Sequence, residues 1–457
     1  MGSVKTRQLR LAAFLSGIGA NVDAWRHPDQ RSDVAVDVEA FKDAARIAEA
    51  GKFDFGFIAD STFITKDSTS YFLSRLEPIS ALSAVASVTS RLGLVATMTT
   101  SFSEPFTTAR QLASLDVISD GRAAWNAVTG ALEGHARNHG GEKLYDHALR
   151  YKIAAEYIEV VTGLWDSWDA DAFVRNKESG EYVDLDKMHT LNHKGEHFSV
   201  QGPLNIERSK QGRPVIFQAG ASEDGKELAA RVADAIFSGS VDNVPQHKAY
   251  YDDIKRRAAN YGRGADDILV FPSITPIVGS TEEEARRKYQ EVSELLDINV
   301  AIKYLSRYFS LFDFTQFPLD EPLPELGDIG KNSFRSTAEE YLRVAREQKL
   351  TLRQLALHAA NPSASFVGTP EQIADRLQTL YEGRVADGFI LHAHLHPSGL
   401  RDFVEQVVPI LQARGIYRRE YESDTLRGNL GLPWPQSRYA KAAKESAAIL
   451  EEASAVG

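Results

Sequence analysis

The chain contains no cysteine in its 457 residues, which excludes disulfides, thiolate metal sites and cysteine nucleophiles together. No stretch reaches the roughly 18 consecutive apolar residues of a membrane-spanning helix, and no apolar segment with a small-residue cleavage site opens the chain. A soluble, cytoplasmic protein is therefore expected. Excess positive charge is also lacking: 52 Lys and Arg stand against 63 Asp and Glu, a net charge of −11. That balance argues against nucleic acid or an anionic membrane as a bulk partner and leaves only a local basic pocket open. A dinucleotide fingerprint fails as well. The run Gly17-Ile18-Gly19-Ala20-Asn21-Val22 has valine where the third glycine belongs, and no helical pattern directly follows it. Gly220-Ala221-Ser222 is not a nucleophile elbow, because Asp224 replaces the second glycine. HExxH and P-loop motifs are missing. If this chain performs redox chemistry, its electrons come from something other than a nicotinamide bound at such a motif.

What is present is a large apolar fraction, 43%, with 25% charged residues, enough for a sizeable core. The length fits two or three domains, or one large barrel with insertions. Eight β-rich runs are candidate strands: 9–14, 53–59, 92–98, 122–127, 214–218, 234–237, 268–276 and 388–392. A helical pattern follows each one. This alternation implies a parallel sheet, and eight units imply a (β/α)8 barrel, an α/β fold, with a doubly wound open sheet as the alternative. The barrel is expected to occupy residues 1–414. A polar, β-rich insertion is expected at about 169–213 and an irregular, proline-containing one at about 299–345. Residues 415–457 read as a polar, partly helical C-terminal extension.

The stretch Leu92–Gly130 is the most informative. Two consecutive strands in it end in small polar side chains, Thr97, Thr99, Thr100 and Ser101 on one, Asn126 and Thr129 on the other. In a parallel α/β protein, ligands bind at that end. Asp60 closes the second strand. His147 and Tyr151, four apart on a helix, share a face and could stack on or hydrogen-bond a flat polar ligand, or form a packed aromatic stripe. Ser222, behind Gly220 and Ala221 at a helix start, suits a phosphate or an ordinary N-cap. Together these residues describe a phosphorylated planar ligand at a barrel rim. His392, His394 and His396 would share one face if the last strand continued that far, but Pro397 and Gly399 follow and no acidic partner adjoins them, so no metal site is expected. His392 could still line the pocket. His135 and His139 lie in a glycine-rich stretch and are read as solvated.

The chain resembles the nitrilotriacetate/dibenzothiophene-sulfone monooxygenase group of the bacterial luciferase-like flavin monooxygenases. The resemblance is carried by AWRHP (24–28), GKFDFGFIAD (51–60), the whole Leu92–Gly130 stretch, LRYKIAAEYIEVVTGLWDSWD (149–169), HKGEHFSVQGPLNIERSKQGRPVIFQAGASEDG (193–225), FVGTPEQIADRLQTLYEGRVADGFIL (366–391) and VVPILQARGIYRREYESDTLRGNLGL (407–432). It implies a (β/α)8 barrel with FMN at its C-terminal mouth, contacted by Asp60, Thr97, His147, Tyr151 and Ser222, with Gly220 and Ala221 at the phosphate and Asn126 in reserve. It also implies a two-component reaction. A separate NAD(P)H:flavin reductase supplies FMNH2, which reacts with O2 to a C4a-(hydro)peroxide and oxidises a small organic substrate at or next to a C–S or C–N bond. His147 is the candidate for steadying that adduct or moving a proton. A homodimer or homotetramer is expected. The alternatives are a deazaflavin-dependent oxidoreductase of the same superfamily and a flavin-binding protein without turnover. Two departures concern the substrate: Gly130 where the family often has serine, and Glu104 near the mouth.

Overall fold

The computed structural model describes residues 7–15, 19, 21–327, 329 and 334–440. The Gly17–Val22 run and the segments 299–345 and 415–457 lie partly outside them. Eight strands close a parallel barrel: β1 (Arg10–Phe14), β2 (Phe55–Ile58), β3 (Gly93–Thr99), β4 (Ala123–Val128), β5 (Val215–Gln218), β6 (Ala235–Ser240), β7 (Leu269–Ile274) and β8 (Gly388–Leu391), with β8 pairing back onto β1. All eight expected strands are present, and the open-sheet alternative is excluded.

The alternation of each strand sends one set of side chains into the lumen. Ala12, Phe55, Val95, Ala124, Val215, Phe217, Ala235, Leu269, Phe271 and Ile390 fill it. Rings dominate: Phe55 meets Phe217 and Phe271 edge-on at 4.9 and 5.2 Å, and Phe57 lies 4.2 Å from Phe237. The lumen is a packed core rather than a pore.

Three buried carboxylates stand at the N-terminal end of the barrel, each just before a strand. Asp54 accepts the N–H of Leu11, Asp234 that of Ile216 and Asp387 that of Val270. Each also meets a cation: Arg418 at 2.6 Å, Arg427 at 2.9 Å and Lys255 at 2.8 Å. Two of those cations come from residues 418–432, whose Leu426, Leu430 and Leu432 join the lumen core. The expected polar tail is thus corrected here: this segment plugs the floor of the barrel.

Two other expectations change. Residues 169–213 are not β-rich; they hold only the two-residue strands His193–Lys194 and Ser199–Val200. Glu156 on the helix His147–Trp165 anchors that loop, accepting from His193 and from the N–H groups of His197 and Phe198. A single carboxylate organises it in place of a sheet. The 299–345 region, expected to be irregular, contains the helix Ile298–Tyr308 and most of the helix Arg335–Gln348. Ala301, Ile302 and Leu305 pack there with Leu352 and Leu355 in a small core of their own. The run with Pro318, Pro322 and Pro324 between these helices made the whole region read as irregular.

Among the described residues, no helix is long and apolar enough to cross a membrane.

Candidate active site

At the C-terminal end of the strands the lumen opens on polar groups. Thr97, two residues beyond Val95, and Asn126, two beyond Ala124, stand side by side in register. Asn126 Nδ2 donates to Thr97 Oγ1 at 3.0 Å. Asn126 Oδ1 is buried and has no partner, which is costly unless a ligand supplies a donor. The stacked pair Phe14 and His392, 4.1 Å apart, continues the same layer.

The second cluster forms where β5 runs into the helix Glu223–Val232. Ser222 caps this helix, accepting from Gly225 N at 3.2 Å. Gly220 and Gly225 face each other so closely that a Cβ on Gly220 would come 2.9 Å from Gly225 Cα, and one on Gly225 3.0 Å from Gly220 Cα and 2.9 Å from the Tyr151 hydroxyl. Tyr151 is thereby placed against the helix start. Its neighbour His147 lies 4.9 Å away ring to ring, and His147 Nδ1 is 3.2 Å from Asp224 Oδ2. Burial, and then Arg150, hold His147 below its ordinary pKa against the pull of Asp224, so the ring is neutral at ordinary pH and its far nitrogen remains available. The structure therefore joins His147, Tyr151, Gly220, Ala221 and Ser222 in one cluster and Thr97 with Asn126 in another.

Asp60 lies two residues beyond β2, the strand that pairs with the Thr97 strand, and burial raises its pKa against the Ser61 N–H and Arg75. His135 is a correction. It is not solvated but buried on the short helix Glu133–Asn138, near Gly130 and Thr99. Gly130 has a φ of 66°, the left-handed region that a serine there would occupy only at a cost. Glu104 is exposed at the start of the helix Pro105–Ile118 and makes no capping bond. The last strand stops at Leu391, and only His392 extends its pairing, donating its N–H to the Ile274 carbonyl at 2.8 Å; His394 and His396 lie beyond the strand. No group of three or more potential metal ligands occurs among the described residues.

Sequence reasoning missed Gly225, Gln218 and Tyr250. Tyr250 donates to the Gly220 carbonyl at 3.3 Å, and Gln218 lies under the Gly220 turn with Oε1 unpartnered. The i,i+5 glycine spacing was the available signal; the other two depend on packing alone.

A luciferase-like monooxygenase family model matches residues 18–388. The chain belongs to this family. It is 47% identical over 439 residues to the N-acetyl-S-(2-succino)cysteine monooxygenase of Bacillus subtilis, covering 96% of this chain and 99% of that one. It is 41% identical over 449 residues to the nitrilotriacetate monooxygenase component A of Aminobacter aminovorans, covering 95% and 99%. Among solved structures, a riboflavin lyase crystallised with a modified FMN and riboflavin matches with a TM-score of 0.82 at 33% identity, covering 94% and 97%. The chain is a flavin-dependent monooxygenase with the barrel of its family.

Four histidines of this end give the enzyme an acid boundary. Burial holds His135, His392, His394 and His396 at about 4, against about 6.5 in an unfolded chain. Between those values the unfolded state binds more protons, so stability is present above about pH 6.5 and falls as pH drops toward 4, by about 1.4 kcal/mol per histidine per pH unit at the steepest. Asp116, pushed up to about 6 by burial, works in the opposite direction, as do Asp54 and Asp60, which burial also raises; His147 and His247, held low by burial, add to the histidine side. Urea midpoints measured from pH 7.5 to 4.5 should fall steeply below 6.5; a flat profile would refute the neutral, buried histidines.

Proposed function

We propose that the chain is the oxygenase component of a two-component system, using FMNH2 from a separate NAD(P)H:flavin reductase and O2 to oxidise a small organic substrate at or next to a C–S or C–N bond. The observation that carries this reading is the Gly220/Gly225 cradle beneath Tyr151 and His147. A Cβ would fill it, backbone N–H groups at the helix start suit a phosphate, and the unpartnered Asn126 Oδ1 awaits a donor such as a flavin ring N–H. The residues present therefore fit FMN. Ser222, Gly220 and Ala221 would hold its phosphate, Tyr151 and His147 its chain, and Thr97 with Asn126 its ring, with Asp60 at the margin. When bound, reduced FMN supplies the activation of O2 and the transfer of one oxygen atom. The protein orients the ring on the Phe14/His392 layer and excludes water with the aromatic lumen below. His147, neutral and oriented by Asp224, can accept or return a proton at its Nε2.

The names of two relatives, for nitrilotriacetate and for N-acetyl-S-(2-succino)cysteine, support a substrate among small amines and thioethers. The test is anaerobic titration with FMNH2, then 18O2 and N-acetyl-S-(2-succino)cysteine. Micromolar binding and one 18O atom in the product are expected, and His147→Ala should weaken flavin binding about tenfold, roughly 1.4 kcal/mol. Failure of the wild type to bind FMNH2 in that range would refute the reading.

A further inference from the structure

The loop beyond β2 and the helix Ile298–Tyr308 meet over the mouth of the barrel, and an arginine sits between them with no acid to answer it. Arg307 is 6% exposed. Its guanidinium lies 3.7 Å from the centroid of Phe72 and donates to Ser61 Oγ at 3.1 Å. Among the described residues, Ser61 is its only hydrogen-bond acceptor and no carboxylate forms an ion pair with it. The acids around it are engaged elsewhere. Asp60 faces the Ser61 N–H and Arg75, Asp67 pairs with Lys303 at 3.5 Å, and Glu77 caps the helix Pro78–Ala86.

A second guanidinium compounds the imbalance. Arg75 lies 5.0 Å from the centroid of the same Phe72 ring, so two cations attend one aromatic ring. Burial, opposed only by neighbouring tyrosines, brings Arg307 down to about 10. On the mouth side, His135 feels the same charge, and its buried Nε2 has no partner. Buried cations are ordinarily paired. In a chain of net charge −11, an unpaired one at the site entrance marks a place where the ligand brings the anion.

Resting on the monooxygenase reading above, we propose that Arg307, held over Phe72 and steadied by Ser61, binds a carboxylate of the substrate, with His135 beside it, and that the substrate class is a small thioether or amine carrying a carboxylate near the oxidised centre. β3 and β4 stand between β2 and β5, where the Gly220/Gly225 cradle begins, so this anion site is distinct from the proposed phosphate site. Arg rather than Lys suits it, because a planar fork meets a carboxylate with two parallel hydrogen bonds.

Two variants, Arg307→Met and Arg307→Lys, test this with N-acetyl-S-(2-succino)cysteine and its fully esterified analogue. In the wild type the free acid should be preferred. Arg307→Met should raise KM for the free acid about 100-fold with kcat within threefold, and should abolish the preference over the ester. Arg307→Lys should recover part of the loss. Titration calorimetry of the free acid against flavin-free wild type and Arg307→Met reads the subsite directly, so its outcome stands even if the flavin reading fails; binding that the variant loses supports the subsite. Equal free-acid binding in the two proteins, or a loss of FMNH2 affinity parallel to the loss of free acid, would overturn the proposal. The second result would assign Arg307 a purely structural role.

Discussion

Replacing Gly225 with valine is expected to cut FMNH2 affinity about 100-fold, roughly 2.8 kcal/mol, while the barrel remains folded. The space for a side chain does not exist. A Cβ at 225 would lie 3.0 Å from Gly220 Cα and 3.1 Å from its carbonyl carbon, and both are backbone atoms. Backbone cannot swing aside as a long side chain can, so the 219–222 turn must move. Leu228, Ala229 and Ala230 hold the rest of that helix in buried contacts, so the displacement falls on the turn itself. The hydroxyl of Tyr151, 2.9 Å from the same Cβ, is pushed at the same time. Both proposed phosphate contacts are lost together, which explains why the effect should exceed that of any single side-chain deletion in the cluster. Equilibrium titration with FMNH2 checks the loss, and an unchanged far-UV circular dichroism spectrum checks the fold. Wild-type affinity would move the phosphate elsewhere.

The largest effect on stability should come from the opposite end. Asp387→Ala is expected to cost about 3–5 kcal/mol. Asp387 accepts from Arg7 at 2.9 Å, Tyr251 at 3.0 Å, Lys255 at 2.8 Å and Val270 N at 2.9 Å. It ties the N-terminal segment, the helix Val244–Asn260 and β7 to the start of β8. Burial alone would raise its pKa, yet Lys255 and Arg7 hold it below the ordinary carboxylate value. Alanine removes that acid and leaves Lys255, itself 11% exposed, as an uncompensated buried charge. For a chain of this size about 1 kcal/mol corresponds to about 1 °C, so the melting temperature should fall by about 3–5 °C. Asp387→Asn, which can still accept from Val270 N, should lose less. The residue sits far from the mouth, so turnover per folded molecule should stay within twofold. Thermal melts and kcat measured on the same preparations separate the two effects; an unchanged melting temperature would show that the four contacts carry no net stability.

The barrel was legible because eight short β-rich runs and their following helices are local patterns, and a one-residue slip in a strand would turn its core face outward. Ser222 was legible for the same reason, as a cap residue directly ahead of a helix. His147 and Tyr151 could be placed on one face from their spacing, but not against Asp224 and Gly225, which lie far along the chain. Arg307 was invisible. An arginine among many in a charged segment says nothing until Phe72 and Ser61 are brought to it. His135 was misread because its neighbours are glycines; the Gly130 turn and Thr99 of β3 lie beside it only in the fold. Leu426, Leu430 and Leu432 looked like parts of a polar tail because three leucines in a charged background announce a core only when a lumen is there to receive them.

The floor plug also sets a timetable. Asp54 at the start of β2 meets Arg418 only after 364 further residues, and β1 has no closing neighbour until β8 is made. At ribosomal speeds of about 5–20 residues per second, that is roughly 20–70 s during which a nascent half-barrel holds an unpaired acid and an open apolar underside. Closure of the barrel therefore waits for the 388–432 stretch, whose strand and floor plug complete the ring and its underside together.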